Sequence, residues 1–510
     1  MYKKLTHDRI VEVYNGIKRH ITKNKVKGRY NVALKYIELS SYWAYNFNFI
    51  YADKEVEDAL KDIAETNLKL YSIDRMVDNR YVFFDTNGVD NRGLTQQYLR
   101  ALIQLGYEFL YIYISNDTSR NVEILKEIRS YDKGKVLLFN KKTKGRFEKC
   151  RVILDEIKSY KPSRILLHLM PWDTVSLICC HCLCGPVKYN INLTDHAYWL
   201  GNTFIDYNIE FRPYGMTVSL EKRNLVKKQL LYLPYYPIQS KCARFQGFPT
   251  LPTGSIILFS GGSYYKMFGK DDAYFRMTDE ILDTSPKAIL LLAGEGAEAL
   301  MKEKIAKMKH ADRVFMIGKR KDINEVFRHC DVYWGTYPIG GGLMAQFAAM
   351  HSKPIIAYTD ANVTACNMEG IVNHFGNGVK TFHDFSDMLV YASHLINDER
   401  FRISEGRKNH DSLMTSDKFV EEFASLMSTH TNIRKWEKEK IDYAAFESIY
   451  IDVENNYLHS GISALIGNLK YSFWFQFPEL LPVTLPVFYK LAVQKMKKYG
   501  KYFLNKHARI

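Results

Sequence analysis

Hydrophobic positions change their period twice along the chain. Over residues 1–77 they repeat every three to four residues, as at Ile10, Val13, Tyr14, Ile17 and Ile21, and again at Val56, Ala59, Leu60 and Ile63. That spacing predicts amphipathic helices without strands. From about residue 78 the pattern turns into short apolar runs, each followed by a turn and an amphipathic stretch. The runs are Tyr81–Asp85, Phe109–Ile114, Lys135–Phe139, Arg164–Leu169 and Val187–Leu193. A second series follows the proline-bearing stretch LYLPYYPIQ, at Ser255–Ser260, Ala288–Ala293, Arg313–Ile317, Val332–Gly335 and Pro354–Tyr358. Strand and helix alternation of this kind predicts parallel sheets joined by helical crossovers. The expected fold class is α/β, with two doubly wound domains in tandem and a cleft where their strand ends meet. The boundaries fall at 1–77 for a helical extension, 78–233 and 234–414 for the two domains, and 415–510 for C-terminal helices.

Composition narrows the partners. At 510 residues the chain exceeds what one core organises, and 46% hydrophobic with 25% charged residues excludes disorder. The net charge of +15 points to an anionic partner: a phosphorylated substrate, a membrane surface or nucleic acid. No exposed aromatic and basic interleaving suggests the last, so nucleic acid is not expected. Eight cysteines, four of them at Cys179, Cys180, Cys182 and Cys184, are too few for a disulfide scaffold and fit a reducing compartment. Zinc sites need a second, displaced pair of ligands, so this cluster reads as small apolar residues in a buried helix. Neither a secretory leader nor a membrane span is expected from the hydropathy. The final stretch, from Leu485, carries Lys490, Lys495, Lys497, Lys498, Lys501, Lys506 and Arg509 opposite Phe488, Leu491, Ala492, Tyr499, Tyr502 and Phe503. This is the composition of an interfacial helix on anionic lipid, and it predicts a cytoplasmic protein held at the inner face of the membrane.

Three loops carry candidate chemistry. After YVFFD, a turn through Gly88 and Gly93 leads into a helix and lets backbone approach a ligand. In the second half, the run ending at Ser260 continues into Gly261, Gly262 and Ser263, with Lys266 and Lys270 close behind; small residues and ammonium groups suit a pyrophosphate. Gly340, Gly341 and Gly342 open a helix whose inward positions are Leu343, Phe347 and Met350. Consecutive glycines cost chain entropy, and at a helix start they expose amides and a dipole to an anion. His196, with Asp195 beside it, follows the run ending at Leu193 and so sits at the cleft end of the first domain. A histidine titrates near neutrality and serves a hydroxyl as donor or acceptor, with Asp195 orienting it or acting as base. His168 reads as a core histidine.

The segment NGVDNRGLTQQYLRALIQLGYEF resembles the first loop and helix of GT-B glycosyltransferases of the large retaining family 4 type, with Gly88, Leu102, Gly106 and Glu108 in the family's places. The run from LLLAGEG through VFMIGKRKDINEVFRHCDVYWGTYPIGGGL to AMHSKPIIA is similar to that family's donor domain, and the likeness spans about residues 78–430. The resemblance implies a nucleoside diphosphate sugar, UDP-linked by default and with no other cofactor, held by the second domain. Its donor-site residues would be Gly88, Gly261, Gly262, Lys266, Gly340, Gly341, Gly342 and Leu343, and His196 would contact the transferred sugar. The family's arginine after the first donor-domain glycine is replaced by Gly262. Its two glutamates are replaced by Pro338 or Ile339 and by Gln346 or Phe347. No Asp-x-Asp occurs, which argues against the metal-dependent GT-A class and predicts a site without metal. The expected function is transfer of a sugar to a lipid-linked saccharide or other glycan acceptor in surface polysaccharide or glycolipid assembly. The alternatives are a protein acceptor, or a nucleotide-sugar epimerase of the same fold.

Overall fold

The computed structural model describes residues 4–139, 145–239, 244–485, 487, 489 and 493. The basic residues of the C-terminal stretch from Lys490 to Arg509, with Phe488 and the apolar positions opposite them, lie outside the described residues.

Seven parallel strands form the first sheet: β1 (Val77–Asp85), β2 (Glu108–Tyr113), β3 (Gly134–Leu138), β4 (Pro162–His168), β5 (Val187–Ile191), β6 (Tyr207–Glu210) and β7 (Leu230–Tyr232). Their spatial order is β3-β2-β1-β4-β5-β6-β7. The second sheet holds β8 (Ile256–Ser263), β9 (Ala288–Glu295), β10 (Val314–Gly318), β11 (Val332–Trp334), β12 (Ile355–Tyr358) and β13 (Thr381–Phe382), in the order β10-β9-β8-β11-β12-β13. Both orders reverse beside the first strand of their series, which creates the switch-point crevice where ligands bind in doubly wound sheets. Strands covered on both faces read as continuous apolar runs, and this is why the inner strands, such as Val82–Phe84 and Ile289–Leu292, are fully buried.

The sequence reading did not anticipate β6, β7 and β13, nor the two-residue strands Tyr71–Ser72 and Leu183–Cys184, which pair in parallel, so the stretch 1–77 is not free of strands and Cys184 lies beyond the helix. Strand β6 carries Asn208 and Glu210, which look polar yet are buried: Glu210 Oε1 accepts from Asn192 Nδ2 at 2.8 Å, Asn208 Nδ2 at 2.6 Å and Ser219 Oγ at 2.5 Å. Strand β7 runs into the start of the proline-bearing stretch LYLPYYPIQ. Its outer edge is closed by Asn432, which accepts from Tyr232 N (2.6 Å) and donates to Leu230 O (3.0 Å), so the last strand does not offer an open ladder.

Three helices precede the first sheet: α1 (His7–Val26), α2 (Tyr30–Phe47) and α3 (Lys54–Asn67). Asp53 caps α3 by accepting from the amides of Glu55 (2.9 Å) and Val56 (3.2 Å), and the same carboxylate ties back to Tyr14 on α1 (3.0 Å). The extension shares one apolar core with the first domain. Polar anchors fix its orientation there: Glu38 on α2 binds Arg146 (2.7 Å) and Thr174 (2.7 Å), and Glu57 on α3 accepts from the Gly201 amide at 2.5 Å.

After the second sheet the helix Ser416–Thr429 returns to the first domain. Phe419 and Phe423 meet Tyr98 edge-on at 5.2 and 5.6 Å, and burying each such ring contributes on the order of 2 kcal/mol. The helices Tyr443–Val453 and Ser460–Leu469 follow and pack against α2, where Gly461 allows close approach to Phe47 and Trp43. Among the described residues, no helix is long and apolar enough to cross a membrane.

Candidate functional site

The first loop is organised by Asp85 at the end of β1. Its buried carboxylate accepts from the amides of Asn87 (3.0 Å) and Gly88 (2.6 Å) and from the hydroxyls of Thr95 and Tyr111 (2.8 Å each), and faces His168 Nδ1 at 3.1 Å. Gly88 is therefore occupied by the turn: a Cβ there would collide with the Asp85 side chain, and the residue does not face open space. His168, fully buried, braces the loop from below, as expected of a core histidine. The part of the loop that faces the second domain is Asp90–Arg92. Asp90 caps the helix Val122–Arg129 through the Glu123 and Ile124 amides (3.0 Å each), which leaves Arg92 as the exposed charge of the loop.

Opposite stands the C-terminal edge of the second sheet. Strand β8 ends in Gly261–Gly262–Ser263; Gly262 has φ +146°, a conformation suited to glycine, and its carbonyl lies where a side chain on Gly294 of β9 would go. Beyond β11 the chain passes through Gly340 and Gly341 into the helix Gly342–Met350, whose start has no side-chain cap. Its first amides therefore remain available, with the positive end of the helix dipole behind them. Lys266 binds the two turns together: its Nζ lies 3.4 Å from Gly340 O, and its carbonyl accepts from Ile339 N at 3.3 Å. No carboxylate pairs with Lys266 among the described residues, and burial lowers its pKa.

These elements enclose one cavity of about 450 Å³. Gly261, Gly262, Lys266, Gly341, Gly342 and Leu343, all named from the sequence, lie on its wall. Gly340 sits just behind it, with its amide donating to Cys366 Sγ at 3.4 Å. The sequence reading missed Arg92, Lys319, Arg320 and Lys321, although the run GKRKD directly after β10 is a visible signal for the last three. Arg320 is neutralised by Asp322 (2.6 Å) and Lys319 by Glu295 (2.7 Å), whereas Arg92 and Lys321 have no carboxylate within ion-pair distance among the described residues. The wall thus presents a surplus of positive charge around a helix start, an arrangement that binds a multiply charged anion.

His196 and Asp195 lie along the same inter-domain gap but outside that cavity wall. His196 is 28% exposed, with Nδ1 3.3 Å from Asp195 Oδ1 and its ring 6.2 Å from those of Phe446 and Tyr450. Asp195 is buried and gripped by Arg212, whose Nη2 donates to Oδ1 at 3.1 Å while Nε donates to Oδ2. Burial alone would raise the Asp195 carboxyl, but Arg212 and His196 hold it far below the usual range. A carboxylate so placed orients its neighbours and has no access to act as a base. Arg212 also reaches across the gap to Ala365 O at 2.9 Å, next to Cys366 and so to the glycine turn. Of the cysteine cluster, Cys179, Cys180 and Cys182 are buried; burial pushes the thiols of Cys180 and Cys182 up to about 12, and Cys184 is exposed. Lys270 turns to Asp360 at 2.8 Å.

Two parallel doubly wound sheets whose strand ends face each other across a cationic, ligand-sized cavity define the GT-B fold. A solved structure shares it. The O-GlcNAc transferase of Thermobaculum terrenum, as a point variant, is similar to this chain with a TM-score of 0.50 at 14% identity, over 86% of this chain and 81% of that one. Anabaena HepE in complex with UDP-glucose gives 0.48 at 12% identity, over 69% of this chain and 99% of that one. A glycosyltransferase from Rickettsia africae gives 0.48 at 12%, over 68% and 97%. No protein-family model matches the chain, and no curated protein matches it in sequence.

Proposed function

We propose that this chain is a glycosyltransferase that moves a sugar from a nucleoside diphosphate sugar, UDP-linked by preference, to an acceptor hydroxyl in the assembly of a surface polysaccharide or glycolipid. The observation that carries this reading is the convergence of the uncapped Gly342–Met350 helix, the Gly261–Gly262 turn and a lysine without a carboxylate partner on a single cavity. Such a set offsets the charge of a departing diphosphate in the transition state without a metal ion. His196, on the first-domain side, positions the transferred sugar through a ring nitrogen. Asp195 orients His196 and Arg212. With Asp195 enclosed, the reading favours retention at the anomeric carbon, where no protein base is needed on the far face of the sugar. Closure of the gap excludes water that would otherwise hydrolyse the donor.

A thermal-shift panel of UDP, GDP and ADP sugars, run with and without EDTA, tests the reading. One nucleotide class should raise the melting temperature in a concentration-dependent way, equally with chelator present. If no nucleotide stabilises the chain, the reading fails; if EDTA abolishes the shift, the metal-free part fails. Attachment to the cytoplasmic membrane surface rests on the composition from Leu485 onward. Flotation with anionic liposomes should be strong for the full chain and weak for one ending before Leu485, and equal flotation contradicts an anchoring tail.

A further inference from the structure

The side chain of Arg212 is enclosed, yet it belongs to both halves of the molecule. It follows β6 at the start of the helix Pro213–Lys222 and is 5% exposed. Its stem packs under Gly370 of the second domain, where an added Cβ would stand 3.3 Å from Arg212 Cβ, and its guanidinium lies over the Tyr214 ring at 4.8 Å. Nε and Nη2 grip the two oxygens of Asp195, while Nη1 donates to Ala365 O at 2.9 Å.

Each branch leads to a different part of the site. On the first-domain side, Asp195 Oδ1 is shared between Arg212 Nη2 at 3.1 Å and His196 Nδ1 at 3.3 Å. The backbone beneath is fixed separately: the fully buried Arg223 donates through Nη2 to Thr194 O (3.2 Å), Asp195 O (3.0 Å) and Ala197 O (2.7 Å). What remains to be set is the Asp195 carboxylate, and with it the His196 ring. On the second-domain side, Ala365 lies in the turn Thr364–Cys366, where Cys366 Sγ accepts from Gly340 N at 3.4 Å and donates to Pro338 O at 3.6 Å. Gly341 and Gly342, next along the chain, stand on the cavity wall. Hydrogen bonds and covalent neighbours therefore run without a break from the cavity to His196. Stability alone does not account for the buried pair, because desolvating a carboxylate and a guanidinium costs about as much as their attraction returns. A planar fork that holds two carboxylate oxygens and a carbonyl at once supplies direction instead.

We propose that Arg212 is a positioning residue that couples the donor cavity to His196. A diphosphate held at Gly341 and Gly342 steadies the turn that carries Ala365, and Arg212 passes this on to Asp195 and the His196 ring. The inference rests on the glycosyl-transfer reading above and adds that the nucleotide sets in place the group that faces the sugar.

NMR of isotope-labelled histidine rings in the full chain, titrated with UDP, tests this, with the His196 signal assigned by its loss in His196→Gln. In the wild type that signal should shift along the same saturation curve that calorimetry gives for UDP, although the ring lies outside the cavity wall. Arg212→Lys keeps a cation beside Asp195 but cannot fork to Ala365 as well. It should lose the His196 response while its UDP affinity stays within about threefold of the wild type, as expected of a residue off the cavity wall. If Arg212→Lys does not fold, the charge-balanced Arg212→Met/Asp195→Asn is read in the same way. A full His196 response in a variant that binds UDP overturns the coupling, as does wild type that binds UDP with the His196 signal unmoved. Wild type that binds no UDP removes the transfer reading, and the coupling with it.

Discussion

At Gly341 an added Cβ would stand 3.1 Å from the buried Tyr333 hydroxyl and 3.4 Å from that of Thr336, at the mouth of the helix start. Gly341→Leu is therefore expected to weaken UDP binding by roughly a hundredfold, the loss of two charge-assisted contacts. Calorimetry reads this directly, and an unchanged dissociation constant removes the helix start from the site. Lys266 gives a pH signature. Burial lowers its pKa, so above that value the free protein holds a neutral amine; a bound diphosphate favours the ammonium form. Binding above that lowered value should then take up a proton, and affinity should fall with rising pH earlier than an exposed lysine would dictate. Titration in two buffers of different ionisation enthalpy shows the uptake, and Lys266→Met should abolish it. His196→Ala should lower transfer by about a hundredfold with UDP affinity intact, consistent with a group that acts on the sugar; an equal loss of UDP affinity would place it in the donor site instead. The glycines on the cavity wall were legible because consecutive glycines before a helix have few structural uses, and Lys266 because it follows the glycines that end β8. Arg92 was not, since a lone arginine in the first loop carries no pattern that a ligand would impose.

Single elements carry their own consequences. Helix α3 docks on the first domain through Glu57, whose carboxyl is buried and pushed up to about 7 from an ordinary value of 4.5. The folded state binds the proton more tightly than the unfolded one, so stability declines as pH rises from 4.5 through 7, by up to about 3 kcal/mol. Glu57→Gln keeps an acceptor for the Gly201 amide and should flatten this decline, as compared by denaturant midpoints at acidic and alkaline pH. The same slope in variant and wild type would show that Glu57 is not the group responsible. The strands most easily read were those buried on both faces, where every position is apolar. Strand β6 escaped because its Asn208 and Glu210 are satisfied by side chains distant in sequence, a network that a local pattern does not reveal. Strand β13 has two residues, too few for any period.

For the whole molecule, the change from helical to strand periodicity near residue 78 and back near 415 was enough to predict two doubly wound domains. The cleft followed from the general rule that ligands sit beyond the carboxyl ends of such strands. How the two additions at the chain ends fold back over that cleft was not legible, because it depends on contacts such as Gly461 against Phe47 and Trp43 between residues some four hundred apart. The central claim is that amides at the start of the Gly342–Met350 helix, with Lys266, hold the diphosphate. Hydrogen exchange with and without UDP tests it most directly. Protection should rise at residues 261–268 and 339–346, and stay unchanged at the cysteine-bearing helix Thr174–His181. Saturating UDP without added protection in those two segments would contradict the account.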